Sequence, residues 1–125
     1  MGMFLNRGKE EFERVVNSEI YVDKTEMIEF FNKVIETEQA YVCVSRPRRF
    51  GKTMAANMIA AYFEKGSDSR SLFEGRKLSL HSGWDKNMNK YDVIRIDIAD
   101  IFSRRNDANE ALNYIEKGIM VRYYL

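Results

Sequence analysis

Apolar side chains recur at every third or fourth position in an early part of the chain. This spacing places them on one face of a helix, and the residues concerned are Met27, Ile28, Phe30, Phe31, Val34 and Ile35. Asp23 precedes them, and Glu26 follows it three positions later, which resembles a capping box at a helix N-terminus. The pattern predicts a helix from about Lys24 to Thr37.

Two short segments are rich in β-branched and aromatic residues, as strands are. Residues 40–45 are apolar at nearly every position, which is typical of a strand in a sheet that is covered on both sides. Residues 91–98 predict a second strand. Cys43 lies in the middle of the first predicted strand, and we expect it to be a small core residue.

Three further helices are predicted between and after these strands. Residues 53–64 are apolar nearly all round, which indicates a buried helix, and Gly66 follows as a stop signal. The polar stretch 67–90 is predicted to be a loop with a short helix at about 69–73. From Asp107 onward, helical spacing returns at Ala108, Leu112, Ile115, Ile119 and Tyr123.

The order of these elements predicts an α/β fold, because alternating strands and helices form a parallel sheet with flanking helices. A sheet of this kind usually has about five strands, whereas two are predicted here. We therefore expect the chain to be the N-terminal part of a larger protein. The edges of so small a sheet would be exposed, which predicts self-association through them.

Composition narrows the function classes. The 125 residues carry 20 Lys and Arg against 19 Asp and Glu, a formal net charge of +1, which excludes a strongly basic nucleic-acid arm and an acidic tail. The single cysteine and the single histidine, His81, exclude a disulfide framework and a multi-cysteine zinc site. His81 and Trp84 are expected at the surface and in apolar packing, respectively. No apolar run suits a membrane span or a secretory signal, so we expect a cytoplasmic protein without a membrane partner.

The segment with the clearest chemistry is Gly51-Lys52-Thr53, between the first predicted strand and the buried helix. This context is typical of a phosphate-binding loop, in which backbone N–H groups and the positive end of a helix bind an anion. Gly51 permits close approach of the backbone, and Lys52 would contact the β- and γ-phosphates. The Thr53 hydroxyl would bind Mg²⁺, so that ATP and Mg²⁺ are the expected cofactors.

The residues before this triplet leave alternatives open. The usual motif has a glycine five positions before Gly51, where this chain has Arg46. Arg48 and Arg49 would contact phosphate, or they would be solvated loop charges. A second hypothesis is therefore an arginine-loop module that binds nucleic acid or the carboxylates of a protein partner, without a nucleotide. A third is a regulatory or scaffold domain in which the loop is degenerate.

Two strings of residues resemble a known family. Tyr21-Val22-Asp23-Lys24-Thr25, followed by Ser45-Arg46-Pro47-Arg48-Arg49-Phe50-Gly51-Lys52-Thr53, is similar to the AAA-ATPase-like family of bacterial P-loop proteins, in which a PD-(D/E)XK nuclease-like domain often follows. The resemblance extends over about residues 8–102. It implies that the loop from Arg46 to Thr53 is a modified Walker A motif, in which Arg46 is normal.

The resemblance also implies a set of site residues. The nucleotide would be bound by Arg48, Arg49, Phe50, Gly51, Lys52 and Thr53, with Thr53 also binding Mg²⁺. Residues 1–125 would be the N-terminal part of one partial P-loop NTPase domain that ends before its Walker B strand, so ATP hydrolysis by this chain is not expected. Asp23, Lys24 and Thr25 would either cap a helix or lie near the nucleotide base.

Overall fold

The computed structural model describes residues 9–45, 51–104 and 107–124 of the chain. These residues form helices and contain no β-strand. The α-helices are α1 Glu10–Val16, α2 Met27–Val34, α3 Lys52–Phe63, α4 Arg70–Phe73, α5 Ile98–Ser103 and α6 Ala108–Tyr124, with a 3₁₀ helix at Lys77–Leu80. Two compact units result: α1 to α4 with the 3₁₀ helix form one, and α5 and α6 belong to the other.

The first unit has its core around α3, and this confirms the buried helix predicted over 53–64. Apolar residues occupy nearly every face of α3, so neighbours must cover it on several sides. Its buried residues are Ala55, Asn57, Met58, Ala60, Ala61, Tyr62 and Phe63. Phe12 of α1 stacks on Phe73 of α4 with 5.2 Å between ring centroids, and the Tyr62 ring meets Phe73 edge-on at 5.5 Å.

Polar side chains fix α3 within this apolar core. The fully buried Tyr62 donates its hydroxyl hydrogen to the backbone oxygen of Trp84 at 2.7 Å and accepts a bond from the Asn32 amide at 3.0 Å. Asn87 in turn donates to Asn32 at 3.2 Å. Because Tyr62, Asn32 and Asn87 all have hydrogen-bond partners, this network stabilises the core instead of weakening it.

The C-terminal end of α3 is held by the segment around Asn89. The Asn89 amide donates to the backbone oxygen of Glu64 at 2.8 Å, and its oxygen accepts from the N–H of Ser69 at 3.1 Å. Asn89 has φ 57°, a left-handed conformation that asparagine adopts more readily than most residues. The backbone N–H of Tyr91 then donates to Phe63 at 2.8 Å.

The helix predicted over 24–37 is confirmed as α2, although it is shorter at both ends. Ile28 and Val34 are its buried residues. The predicted capping box is wrong, because Glu26 is the N-cap and the structure has no side-chain capping hydrogen bond there. The Asp23 carboxylate instead accepts hydrogen bonds from Thr25 and from the N–H of Lys77.

The predicted parallel sheet with flanking helices is wrong, since neither predicted strand is present in the described residues. Residues 41–45 are irregular; Tyr41 is 96% exposed and Cys43 is exposed, so Cys43 is not a core residue. In the second segment, Tyr91 makes a parallel β-bridge with Glu64, and Ile98 begins α5. A β-rich composition favours a strand only where a neighbouring strand completes it.

The second unit has a small core of its own. Ile101 of α5 and Ala111 of α6 are buried, and Ile96, Tyr114 and Ile115 pack against them. The Asp107 carboxylate accepts a hydrogen bond from the N–H of Glu110 at 2.7 Å, at the start of α6. The last predicted helix is thereby confirmed. No helix in the described part of the chain is long and apolar enough to cross a membrane.

Candidate functional site

The described part of the predicted loop lies at the N-terminus of α3. Gly51 is the N-cap, with φ 85° and ψ 25°, a left-handed conformation that glycine adopts without steric cost. Lys52 and Thr53 form the start of the first turn and are exposed. The other predicted nucleotide-binding residues, Arg48, Arg49 and Phe50, lie outside the described residues, as does Arg46.

The first turn of α3 has the general properties of an anion site. The N–H of Ala55 donates to the Gly51 oxygen at 2.9 Å, so the N–H groups of Lys52, Thr53 and Met54 come before this bond in the helix. The N-cap is a glycine and has no side chain that could accept from them. Aligned peptide dipoles also give this end of the helix a partial positive charge. These groups can bind an anion such as a phosphate.

A second lysine lies beside this turn. A Cβ built on Gly51 would lie 2.9 Å from Nζ of Lys24, which places the Lys24 ammonium against the glycine that begins α3. The sequence alternatives for this segment were a helix cap or a position near a nucleotide base. The structure places the Lys24 ammonium at the start of α3, next to Gly51.

The residues on either side of Lys24 fasten its backbone to the 3₁₀ helix. The Asp23 carboxylate accepts from the N–H of Lys77 at 2.9 Å and from the Thr25 hydroxyl at 2.7 Å. The fully buried Thr25 also accepts, through its hydroxyl oxygen, a hydrogen bond from the N–H of Leu78 at 3.0 Å. The segment before α2 is therefore held at two successive anchor points, with Lys24 between them.

These hydrogen bonds determine the ionisation of Asp23. Burial alone would raise the pKa of the Asp23 carboxyl, but the N–H groups of Lys77 and Thr25, the Thr25 hydroxyl and nearby Arg76 together outweigh burial. The pKa is therefore lowered from its ordinary value of 3.8. The carboxylate form of Asp23 is the form that the surrounding donors stabilise.

An apolar pocket opens next to the first turn of α3. Three segments contribute its lining, which consists of Phe12, Val15, Tyr21, Val22, Lys24, Met54, Ala55 and Met58. The hydroxyl oxygen of Tyr21 is buried and has no hydrogen-bond partner in the described part of the chain. Burial, followed by the nearby Asp23 carboxylate, raises the pKa of this phenol, while Arg76 and the backbone N–H of Lys24 oppose the shift.

The other residues singled out from the sequence lie away from this site in the chain and do not join it. His81 is at the surface, as predicted, with its Nε2 3.2 Å from a carboxylate oxygen of Glu26. The Trp84 ring lies 5.2 Å from the guanidinium carbon of Arg70, in a cation–π contact. Among the described residues, no group of three His, Cys, Asp or Glu side chains is placed to hold a metal ion.

The chain is similar to known proteins at the level of a family. The model of a family described as a predicted AAA-ATPase, AAA-ATPase-like, matches residues 7–124. No curated protein and no solved structure matches the chain. The family match covers nearly the whole sequence, and it includes both the segment around Lys24 and the start of α3.

Proposed function

Because the chain belongs to the predicted AAA-ATPase family, we propose that it binds the phosphates of ATP at the N-terminus of α3. One observation carries this proposal: α3 begins at Gly51, in a left-handed conformation, and the exposed Lys52 and Thr53 follow in its first turn. A nucleoside triphosphate is the anion that agrees best with both the family and the geometry of this turn.

Each residue of the turn has a defined role in this proposal. Gly51 allows the backbone to approach the phosphates, and the N–H groups that follow donate to phosphate oxygens. Lys52 places its ammonium on the β- and γ-phosphates. Arg48, Arg49 and Phe50 complete the proposed modified Walker A loop, which extends from Arg46 to Thr53.

Thr53 provides the link to magnesium. Its hydroxyl is a hard oxygen donor of the kind that Mg²⁺ binds together with phosphate oxygens, and its exposure on the first turn fits that role. Bound Mg²⁺ would neutralise charge on the phosphates. We limit the proposed activity to binding, because hydrolysis needs in addition an acidic residue beside the ion.

Calorimetric titration of ATP with Mg²⁺ into the wild-type chain tests the proposal. Lys52→Ala is expected to weaken binding by at least about tenfold, since a charged contact to phosphate is lost. Lys86→Ala is the matched control, because Lys86 is an exposed lysine of the polar loop and its removal changes net charge equally.

Three outcomes would contradict the proposal. The first is that the wild-type chain binds no ATP, and the second is that Lys52→Ala binds it as tightly as the control does. Binding of single-stranded or duplex nucleic acid with a steep salt dependence, and without any affinity for ATP, would instead support the arginine-loop module.

A further inference from the structure

We infer that Lys24 is a second phosphate-binding lysine of this site, held in place by its neighbours Asp23 and Thr25. The inference rests on the proposed function and adds a residue from a different part of the chain. It begins from the contact between the Lys24 ammonium and Gly51, where an added Cβ would lie 2.9 Å from Nζ.

Electrostatics gives the reason for an anion at this place. The N-terminus of a helix carries partial positive charge, which attracts anions. Here, one ammonium lies against the residue that begins α3, and a second, that of Lys52, belongs to the first turn. An anion at this place would be attracted by both ammonium groups and by the start of the helix. A polyphosphate chain suits the arrangement because it offers several negative oxygens in a row.

The backbone at Lys24 is preorganised by the hydrogen bonds of Asp23 and Thr25 on either side of it. Asp23 binds the N–H of Lys77, and Thr25 binds the N–H of Leu78, at 2.9 and 3.0 Å. These contacts restrain the backbone from which the Lys24 side chain extends. Less conformational freedom is therefore lost when a ligand binds, which increases affinity. Asp23 and Thr25 act as positioning residues for Lys24.

The contact is with the phosphate end of the ligand for a chemical reason. Lysine presents a compact charge on a flexible stem and suits a phosphate oxygen well, whereas base recognition usually relies on planar or aromatic groups. Gly51 immediately precedes Lys52, the residue proposed to contact the β- and γ-phosphates. A cation that touches Gly51 is consequently next to the phosphates of the same nucleotide.

Titration of two probes into four proteins tests the inference. The probes are MgATP and inorganic tripolyphosphate, and the proteins are the wild type, Lys24→Gln, Lys24→Arg and the charge control Lys86→Gln. Lys24→Gln is expected to reduce the affinity for both probes by about tenfold, which is the usual effect of losing one charged contact. Lys24→Arg is expected to restore most of the affinity, and Lys86→Gln to leave it unchanged.

Each outcome of these titrations distinguishes the role proposed for Lys24 from another role. If Lys24→Gln binds both probes like the wild type while Lys52→Ala does not bind, the inference is wrong and the proposed function stands. If Lys24→Gln loses affinity for MgATP but keeps it for tripolyphosphate, Lys24 contacts the base or ribose. Equal losses in Lys24→Gln and Lys24→Arg would indicate a structural role. If the wild type binds neither probe, the proposed function and the inference both fail.

Discussion

Asp23 shows at the scale of one residue how a loop is attached to the rest of its unit. Its two carboxylate oxygens accept from groups that are close in sequence, Thr25, and distant in sequence, Lys77. A neutral amide in place of the carboxylate could accept at one atom only. The charge on Asp23 is therefore tied to the stability of the segment that carries Lys24.

The pH dependence of stability follows from this charge. Because the folded-state pKa of Asp23 is lowered, the carboxylate stabilises the fold at pH values above its ordinary pKa, and the contribution is lost as the pH falls through the lowered value. At pH 7, Asp23→Asn is expected to reduce the free energy of unfolding by about 1–2 kcal/mol. Urea titrations at several pH values measure this difference, which should shrink in acid.

Glu38→Gln provides the control for this experiment, since it removes one negative charge from an exposed position and breaks none of the Asp23 hydrogen bonds. A difference between wild type and Asp23→Asn that stays constant from pH 7 into acid would show that the carboxylate charge does not stabilise this loop.

At the scale of elements, the start of α3 depends on a glycine. Gly51 and Gly75 have similar left-handed φ values, 85° and 78°, but a Cβ on Gly75 meets nothing within 4 Å, while one on Gly51 meets Lys24. Alanine variants at these two positions therefore distinguish the effect of backbone strain from the effect of contact with the Lys24 ammonium. Both substitutions by alanine place an ordinary residue in a conformation that it disfavours.

Gly51→Ala and Gly75→Ala are each expected to lower stability by about 1 kcal/mol, because both place alanine at a similar positive φ. Gly51→Ala is also expected to weaken ATP binding, since its Cβ displaces the Lys24 ammonium, whereas Gly75→Ala should not. Thermal unfolding and ATP titration of both variants measure the two effects. Equal ATP affinities in the two variants would contradict a role for the space beside Gly51.

The helices were predictable to the extent that their own residues determine them. α3 is apolar nearly all round, α6 has helical spacing of apolar residues, and α2 has a clear apolar face, so each was found within a few residues. α1, α5 and the 3₁₀ helix are too short for such a pattern and were missed. The strands failed because strand formation depends on neighbours that a local pattern does not reveal.

The candidate site was predictable in part for the same reason. Gly51, Lys52 and Thr53 form a contiguous motif, which the sequence displays directly. The segment that carries Lys24 is held by hydrogen bonds that Asp23 and Thr25 accept from residues 54 and 53 positions away. Pairings over such distances in the chain leave no local periodicity, so a helix cap and a position near the base both remained open for this segment.

At the scale of the whole molecule, the residues that the structure describes form a larger core in the first unit than in the second. The core of the first unit includes Phe12, Ile28, Met58, Tyr62, Phe73 and Leu78, whereas the described core of the second centres on Ile101 and Ala111. Because burial of apolar surface is the main stabilising contribution, the smaller core is expected to be the less stable.

Two optical probes can follow the units separately. Trp84 is the single tryptophan of the chain and belongs to the first unit, while far-ultraviolet circular dichroism also detects α6. We expect the circular dichroism signal to begin falling at a lower urea concentration than Trp84 fluorescence changes, as in a transition that is not two-state. Coincident curves would mean that the two units unfold together.

The polar partners of Tyr62 have an effect at the opposite end of its helix. A helix that is apolar nearly all round could rotate about its axis with little change in the apolar area that it buries. The Tyr62 hydroxyl, however, can bond to both Asn32 and the Trp84 carbonyl in only one such orientation. Tyr62 is ten residues from Lys52, about 15 Å along the axis. The direction in which Lys52 and Thr53 project from the helix is thus determined by hydrogen bonds at its other end.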